Sequence, residues 1–267
     1  MALRRHRPRA EAMRNSCALL YLFALGQASL ARADAIGLDP AGLSNFTAIL
    51  ESSVSKSIIT TVGILAAPYP YGGATPLGTS VGLDIGISIT TLKLPDAFLD
   101  SLNLLGANTT SLKNSIIPVP VAQIHKGLGP RLDLGIYYFS FQGYKFYGGD
   151  VKIALWVPEE GPGFAFRFGY GVGELGIVST KTIAPELIFS RKLEFAEPYI
   201  GAGAQIISGA ISYDGVPGLP INQTGLAARA FLGLSLKLLE SGIIASVEGG
   251  YNSYGAHALG MKAGVSF

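Results

Sequence analysis

The last thirteen residues of the chain, from Gly255 to Phe267, alternate between two kinds of side chain. A β-strand sends successive side chains to opposite faces, so this pattern predicts a strand with one apolar face and one small or charged face. The apolar positions are Leu259, Met261, Ala263, Val265 and Phe267. Alternation alone is typical of soluble sandwiches as well as of barrels. The choice between them depends on the rest of the chain.

Similar strands recur along most of the sequence, and the clearest covers residues 79–94. We expect ten strands, with eight or twelve as alternatives. Eleven candidates are present, and a barrel of this kind normally has an even number. Either Ile58–Ala67 or Ile116–Lys126 is therefore surplus, or one candidate divides further. Pro118 and Pro120 count against the second, because proline lacks the donor that a closed ladder needs.

The N-terminus predicts an exported protein. A basic region with five arginines precedes a short apolar run, Cys17 to Leu25, and Ala31-Arg32-Ala33 matches a cleavage site with small residues. We therefore expect residues 1–33 to be a cleaved signal peptide. The apolar run is far shorter than the ~20 residues of a membrane-spanning helix.

Removing that peptide changes the charge and the cysteine content. It holds six of the 20 basic residues and one of the 18 acidic ones, so 14 and 17 remain, a net charge of −3. No basic patch predicts nucleic-acid binding. The single cysteine, Cys17, is lost too, which excludes a disulfide or a thiolate nucleophile. Positive hydropathy without a spanning helix favours a transmembrane barrel, in which the apolar residues are spread over many strands.

The terminal strand ending on Phe267, the segment Pro198–Gly203 and the turn Lys126–Gly129 together resemble Gram-negative outer-membrane β-barrels. The similarity extends to uncharacterised barrels loosely related to outer-membrane transporters of hydrophobic substrates. It implies an all-β protein with a single antiparallel transmembrane barrel over residues 57–267. It also implies outer-membrane lipid and the barrel assembly machinery as partners, and an assembly signal formed by Met261, Ala263, Val265 and Phe267.

Residues 34–56 are typical of a helix. Asp39-Pro40 is a plausible start, and Leu43, Phe46, Leu50 and Val54 lie on one helical face. One interpretation is a plug in the barrel lumen or at its mouth. The other is a mobile leader that precedes the first strand.

Charged residues recur on the small-residue faces of the strands. Lipid exposure of a basic side chain near the midplane costs about 2–4 kcal/mol, so these faces are expected to point inward. They could form a selectivity filter or a packed polar core that conducts nothing. The candidates are Asp84, Asp133, Asp150, Lys152, Arg167, Glu186, Arg229, Lys237, Glu248 and Lys262.

Aromatic residues crowd around the predicted turn at Gln142–Tyr144 and resemble half of an interfacial girdle; a hydrophobic core cluster is the alternative. They are Tyr137, Tyr138, Phe139, Phe141, Tyr144, Phe146 and Tyr147.

Two other patterns carry little chemistry. Gly171–Gly176 matches GxGxxG, but a strand follows where the dinucleotide motif needs a helix. His125 and His257, the only mature histidines, lie in no recognisable hydrolase motif. We therefore expect no cofactor and no metal site.

Three functions remain. The first is a channel or transporter for a small solute, and the second is a structural or surface-interaction barrel without flux. The third, an outer-membrane hydrolase, has the least support, so the protein is predicted not to be an enzyme. The sequence names no solute.

Overall fold

The computed structural model of the chain describes residues 53–78, 81–104, 116–141, 144–158, 161–212, 220–238 and 242–267. Ten antiparallel strands close into one barrel, in which β1 pairs with β10 and every other pair is adjacent in sequence. The strands are β1 Leu83–Lys93, β2 Ile116–Gly127, β3 Leu132–Phe141, β4 Tyr144–Trp156, β5 Pro162–Leu175, β6 Val178–Arg191, β7 Ala196–Ile211, β8 Ile221–Lys237, β9 Ile243–Asn252 and β10 His257–Ser266. The predicted all-β fold with ten strands is confirmed.

Two helices accompany the barrel in the part of the chain that the structure describes. Helix α1 covers Ser55–Ala66, ahead of the first strand, and helix α2 covers Asp96–Leu104, between β1 and β2. No helix in the described residues is long and apolar enough to cross a membrane.

Helix α1 corrects one interpretation of the sequence. The run Ile58–Ala67 was expected to be β-type, but nearly all of it is helical, and the first wall strand begins only at Leu83. A short apolar run has no periodicity that separates a strand from a buried helix, and almost every residue of α1 is buried. The helix predicted within residues 34–56 falls mostly on residues 1–52, which lie outside the described part.

Strand β2 is part of the wall despite its two prolines, so the surplus candidate is Ile58–Ala67. Residues 116–126 pair continuously with β1, whereas only Ala122–Gly127 pair with β3. Pro118 and Pro120 lie in the half that has no β3 partner, where the missing N–H donors break no ladder.

The barrel has two unlike ends. At the terminal end, where β1 begins and β10 stops, Leu83 and Phe267 exchange backbone hydrogen bonds of 2.8 and 3.1 Å. Strands β6 and β8 also end at this end, and β7 and β9 begin there. The opposite end, where β1, β3, β5, β7 and β9 stop, is called the loop end.

The outside of the barrel is apolar over a broad band. On β8, alternate residues from Leu226 to Leu236 face outward, and Leu226 and Leu232 are 70% and 67% exposed in the isolated chain. At 3.3 Å per residue and a tilt near 40°, this stretch covers about 25 Å along the barrel axis, the height of a lipid-facing band. An apolar surface that surrounds a protein on all sides is typical of contact with lipid.

Candidate functional site

The barrel encloses residues 53–78 of its own chain, here called the luminal segment, which consist of α1 and the extended stretch 67–78. The lumen divides into an apolar layer around α1, near the loop end, and a polar layer around the extended stretch. The two layers are described in turn, since together they decide whether anything can pass.

Helix α1 packs against inward-facing side chains of the wall. Ile59 and Ile64 are fully buried, and the cluster around them includes Ile207 and Ile211 of β7. Phe98 and Leu99 of α2 join the same cluster. This layer closes the loop end of the lumen with apolar contacts.

Two wall hydroxyls also bond the end of α1. Thr182 donates to the carbonyl of Gly63 at 2.7 Å, and Tyr137 donates to the carbonyl of Ala66 at 2.5 Å. A Cβ added at Gly63 would collide with the side chain of Ile207, so a glycine is needed for the helix to approach the wall this closely. The position of α1 is therefore specified by shape as well as by apolar burial.

The extended stretch 67–78 pairs with wall side chains instead of with another strand. The N–H groups of Ala74 and Leu77 donate to Ser190 Oγ at 2.8 Å and to the Asp133 carboxylate at 3.1 Å. Lys152 Nζ donates to the carbonyls of Gly73 and Thr75 at 3.1 and 2.8 Å. Buried backbone groups need partners, and here the wall supplies them.

Tyr71 anchors the middle of this stretch. Its φ of 57° lies in the left-handed region, which is costly for a residue with a Cβ. Its hydroxyl bonds Thr90 of β1, and its ring lies over Gly260 of β10, where an added Cβ would collide with it.

A chain of ion pairs, here called the charge ladder, lies on the side of β5, β6, β8 and β9. Arg167 bonds Glu186, and Arg229 bonds Glu186 at 2.6 Å and Glu248 at 2.5 Å. The hydroxyl of Tyr199 donates to Glu248 at 3.0 Å. Two guanidinium groups and two carboxylates balance, and none of the four side chains is more than 4% exposed.

The charge ladder also contacts aromatic rings. The guanidinium of Arg229 lies 4.2 Å from the ring centre of Tyr69, in the luminal segment, and 4.5 Å from that of Phe231. Cation–π contacts of this kind are strongest when they are shielded from water. The ladder therefore binds the luminal segment to the wall.

Two further ion pairs and one hydrogen-bonded histidine–carboxylate pair lie on the side of β1 to β4 and β10. His125 Nε2 lies 3.2 Å from Asp150, Lys152 lies 3.1 Å from Asp133, and Lys262 lies 2.7 Å from Asp84. Together with the charge ladder, they account for nine of the ten charged residues that the sequence pointed to. The tenth, Lys237, is exposed at the rim of the terminal end.

The structure thus places nine candidates on the inner face and joins them in pairs. Their role in solute selection stays a prediction. Sequence reasoning missed His125, Tyr199 and Tyr69 as members of these clusters. The first two occupy inward positions of their strands, a periodicity that could have indicated them, but no local pattern places Tyr69 beside Arg229.

The aromatic residues near residues 142–143 do not act as one girdle, because they divide between the two faces. Tyr138 and Tyr147 face outward. Phe139 and Phe146 face inward and stack with ring centres 6.0 Å apart. Tyr137 points inward to α1. Successive residues of a strand face opposite ways, so a consecutive aromatic run cannot lie on one side.

Two cavities lie along the lumen. The larger, of about 350 Å³, opens at the terminal end, and its lining includes Asp133, Lys152, Glu197 and Lys237. The smaller, of about 20 Å³, lies deeper, between the luminal segment and β1 to β4. A volume of this size holds about one water molecule. Neither cavity reaches through the apolar layer around α1.

Residues typical of enzymes do not converge in the described part of the chain. No group of three metal-binding side chains is found there. Among those residues, His125 bonds Asp150 and His257 stacks on Tyr251, and neither is bonded to a serine. Gly171–Gly176 runs along β5 into its hairpin turn, and the strand β6 follows it, where the dinucleotide motif would need a helix.

Comparisons with known proteins concern the fold alone. No family model matches the chain, and no curated protein matches it. Similar solved structures include Neisserial surface protein A, with 12% identity and a TM-score of 0.30, covering 69% of this chain and 97% of that chain. The N-terminal β-barrel domain of Pseudomonas aeruginosa OprF has 15% identity and a TM-score of 0.32, covering 68% and 97%. Acinetobacter baumannii outer membrane protein Omp33 has 6% identity and a TM-score of 0.29, covering 69% and 98%. The barrel fold itself rests on the closed ten-stranded sheet.

Proposed function

We propose that the protein is an outer-membrane barrel that conducts a small solute when its luminal segment moves, and that the state described is closed. The apolar band around the wall supports the membrane location. Outer-membrane lipid and the barrel assembly machinery are the partners that this location requires.

The observation that carries the proposal is how the stretch 67–78 is held. Its partners are wall side chains, including Ser190, Asp133 and Lys152, rather than a neighbouring strand. A hydrogen bond to a neutral partner such as Ser190 contributes about 0.5–1.5 kcal/mol net, and one to a charged partner such as Asp133 or Lys152 about 1.5–3 kcal/mol, because water can replace either partner. The stretch can thus leave its position while the ten-stranded wall stays closed.

The cavity of about 350 Å³ supports the same function. It gives water access from the terminal end to Gly73 and Thr75 of the luminal segment. Movement of these residues would extend an existing cavity rather than open a dry core.

A structural or surface-interaction barrel without flux is the second candidate. The apolar layer around α1 favours it, because moving α1 would expose Ile59, Ile64 and their neighbours. The two candidates differ in whether the luminal segment moves, which can be tested directly.

The test is a disulfide between the luminal segment and the wall. A Cβ at Gly163 would lie 3.6 Å from the Cβ of Ala74, within the range of about 3.5–4.5 Å that disulfides need. The double variant Ala74→Cys/Gly163→Cys is made in a Cys17→Ser background, so that the pair holds the only two cysteines. Solute flux is measured by swelling of liposomes in glycerol, with the disulfide oxidised and then reduced.

Oxidation should abolish swelling and reduction should restore it, whereas Ala74→Cys alone should respond to neither. Equal swelling in both states would show that flux does not need this stretch to move. A folded barrel that never swells liposomes, oxidised or reduced, would favour the structural alternative.

A further inference from the structure

The two lumen cavities meet at one point. The small cavity is lined by Pro70, His125 and Asp150, and the same three residues line the large cavity at the terminal end. The cavities therefore form one line, with the His125–Asp150 pair at the junction, and the inner part of this line lies on the side of β1 to β4. The inner part reaches Val119 and Phe146, which belong to the apolar layer.

The other side of the lumen offers no comparable line. There the charge ladder joins Arg167, Glu186, Arg229 and Glu248, and the ring of Tyr69 covers Arg229. Passage on that side would have to break buried ion pairs, and separating the partners of a buried pair is costly.

Two polar atoms in the lining of the small cavity are buried without a hydrogen-bond partner in the described residues. They are Nε2 of Gln123 and Nδ1 of His125, and the two side chains are 3% and 8% exposed. Both residues line the small cavity. Most buried polar atoms have a partner, so a pair of free ones beside a cavity indicates a place where a solute or water is bonded.

The lining also indicates the kind of solute. It is mainly apolar, with Leu65, Leu92, Val119, Val121 and Phe146 around the two free polar atoms. The carboxylate of Asp150 is already paired with His125. An ion would lose its hydration in such a place with no free charge in return, which is unfavourable.

We propose that a small, uncharged solute crosses the barrel between the luminal segment and β1 to β4, and that the His125–Asp150 pair is the constriction on its route. The inference rests on the proposed function and adds the route, the class of solute and the residues that limit passage. His125 and Asp150 act here as specificity-determining residues, because the width and polarity of the junction depend on them.

The test widens the junction. His125→Ala removes the ring, and the double variant His125→Ala/Asp150→Ala removes the carboxylate that would otherwise be buried alone. Both variants should raise the rate of glycerol-driven liposome swelling several-fold over the parent. Gln205→Ala is the matched control, because Gln205 is an inward-facing polar residue of β7, only 1% exposed, and lines neither cavity.

Heat-modifiable migration on gels shows that each variant is a folded barrel. A folded double variant that swells liposomes no faster than the parent would overturn the route, and so would a larger gain from Gln205→Ala. One further outcome is swelling that returns when the disulfide of Ala74→Cys/Gly163→Cys is reduced but does not change when His125 is replaced. This outcome would support the proposed function and overturn the route. No swelling from any variant would overturn both.

A thiol block provides a second measurement. With Cys17 replaced by serine, a cysteine at Val121 should react with a small water-soluble thiol reagent, and the adduct should lower glycerol flux. A cysteine at Ala184, inward-facing on β6 and 1% exposed, should not change flux on treatment. If the thiol reagent lowers glycerol flux through Ala184→Cys but not through Val121→Cys, the route lies on the other side of the lumen.

Discussion

The guanidinium of Arg229 lies 4.2 Å from the ring centre of Tyr69, so the wall of the barrel and the segment inside it share one electrostatic cluster. Arg229 belongs to β8, and Tyr69 follows α1 by three residues. The contact connects the stability of the barrel to the position of its contents, and it leads to the first prediction.

Arg229→Ala should lower the free energy of unfolding by about 3–5 kcal/mol, because Glu186 and Glu248 would be left as buried charges without this partner. Guanidinium titration of the refolded barrel in lipid vesicles measures the change. Lys181→Ala, at an exposed position of β6, should change the same quantity little. A loss for Arg229→Ala as small as that for Lys181→Ala would mean that the charge ladder contributes little to stability.

Gly260→Ala should displace Tyr71, because the added Cβ collides with its ring. Overpacking of this kind lowers the free energy of unfolding by about 1–3 kcal/mol. Gly249→Ala is the matched control, since it lies on the adjacent strand and an added Cβ there meets no atom within 4 Å. Both variants are compared by the guanidinium midpoint and by the rate of glycerol-driven swelling. Gly260→Ala should lower the guanidinium midpoint and raise the glycerol flux. Equal midpoints and fluxes for Gly260→Ala and Gly249→Ala would contradict the contact between the Tyr71 ring and Gly260.

Leu232→Arg tests which face meets lipid. Leu232 lies in the middle of the outward apolar band of β8 and is 67% exposed in the isolated chain. An arginine there should lower the free energy of unfolding by about 2–4 kcal/mol, whereas near an interface the loss falls to about 0–1 kcal/mol. The control is Leu193→Arg, in the terminal-end connection between β6 and β7. Equal losses at the two positions, measured by unfolding in vesicles, would contradict the predicted depth of the band.

Phe267→Asp addresses the predicted assembly signal. The backbone of Phe267 pairs with Leu83, and these bonds survive the substitution. A slower arrival in the outer membrane would therefore report on the side chain alone, which is 59% exposed. Phe195→Asp, a similarly exposed aromatic residue in a turn, should assemble at the parental rate. Pulse-labelling followed by membrane fractionation measures both rates. Normal assembly of Phe267→Asp would remove the case for a signal at this residue.

The faces of the strands were predictable from the sequence. Arg167 and Glu248 are buried on the inner face, whereas Ile85 and Val247 are exposed on the outer face. This follows because a strand has a period of two residues whatever it packs against, so the alternation of apolar and polar side chains is a local property. The same pattern gave eleven candidate strands, and the even number that is normal for such barrels reduced them to ten.

Tertiary structure decided the rest. The apolar run Ile58–Ala67 is helical because α1 packs against distant strands. The sequence pattern of this run does not show that Ile207 and Thr182 will contact it. Proline is tolerated in β2 because half of that strand has no β3 neighbour. The pairing of Arg229 with Glu186 joins residues 43 positions apart. Such partners depend on how the barrel closes and on what it encloses, and neither is a property of any local stretch of sequence.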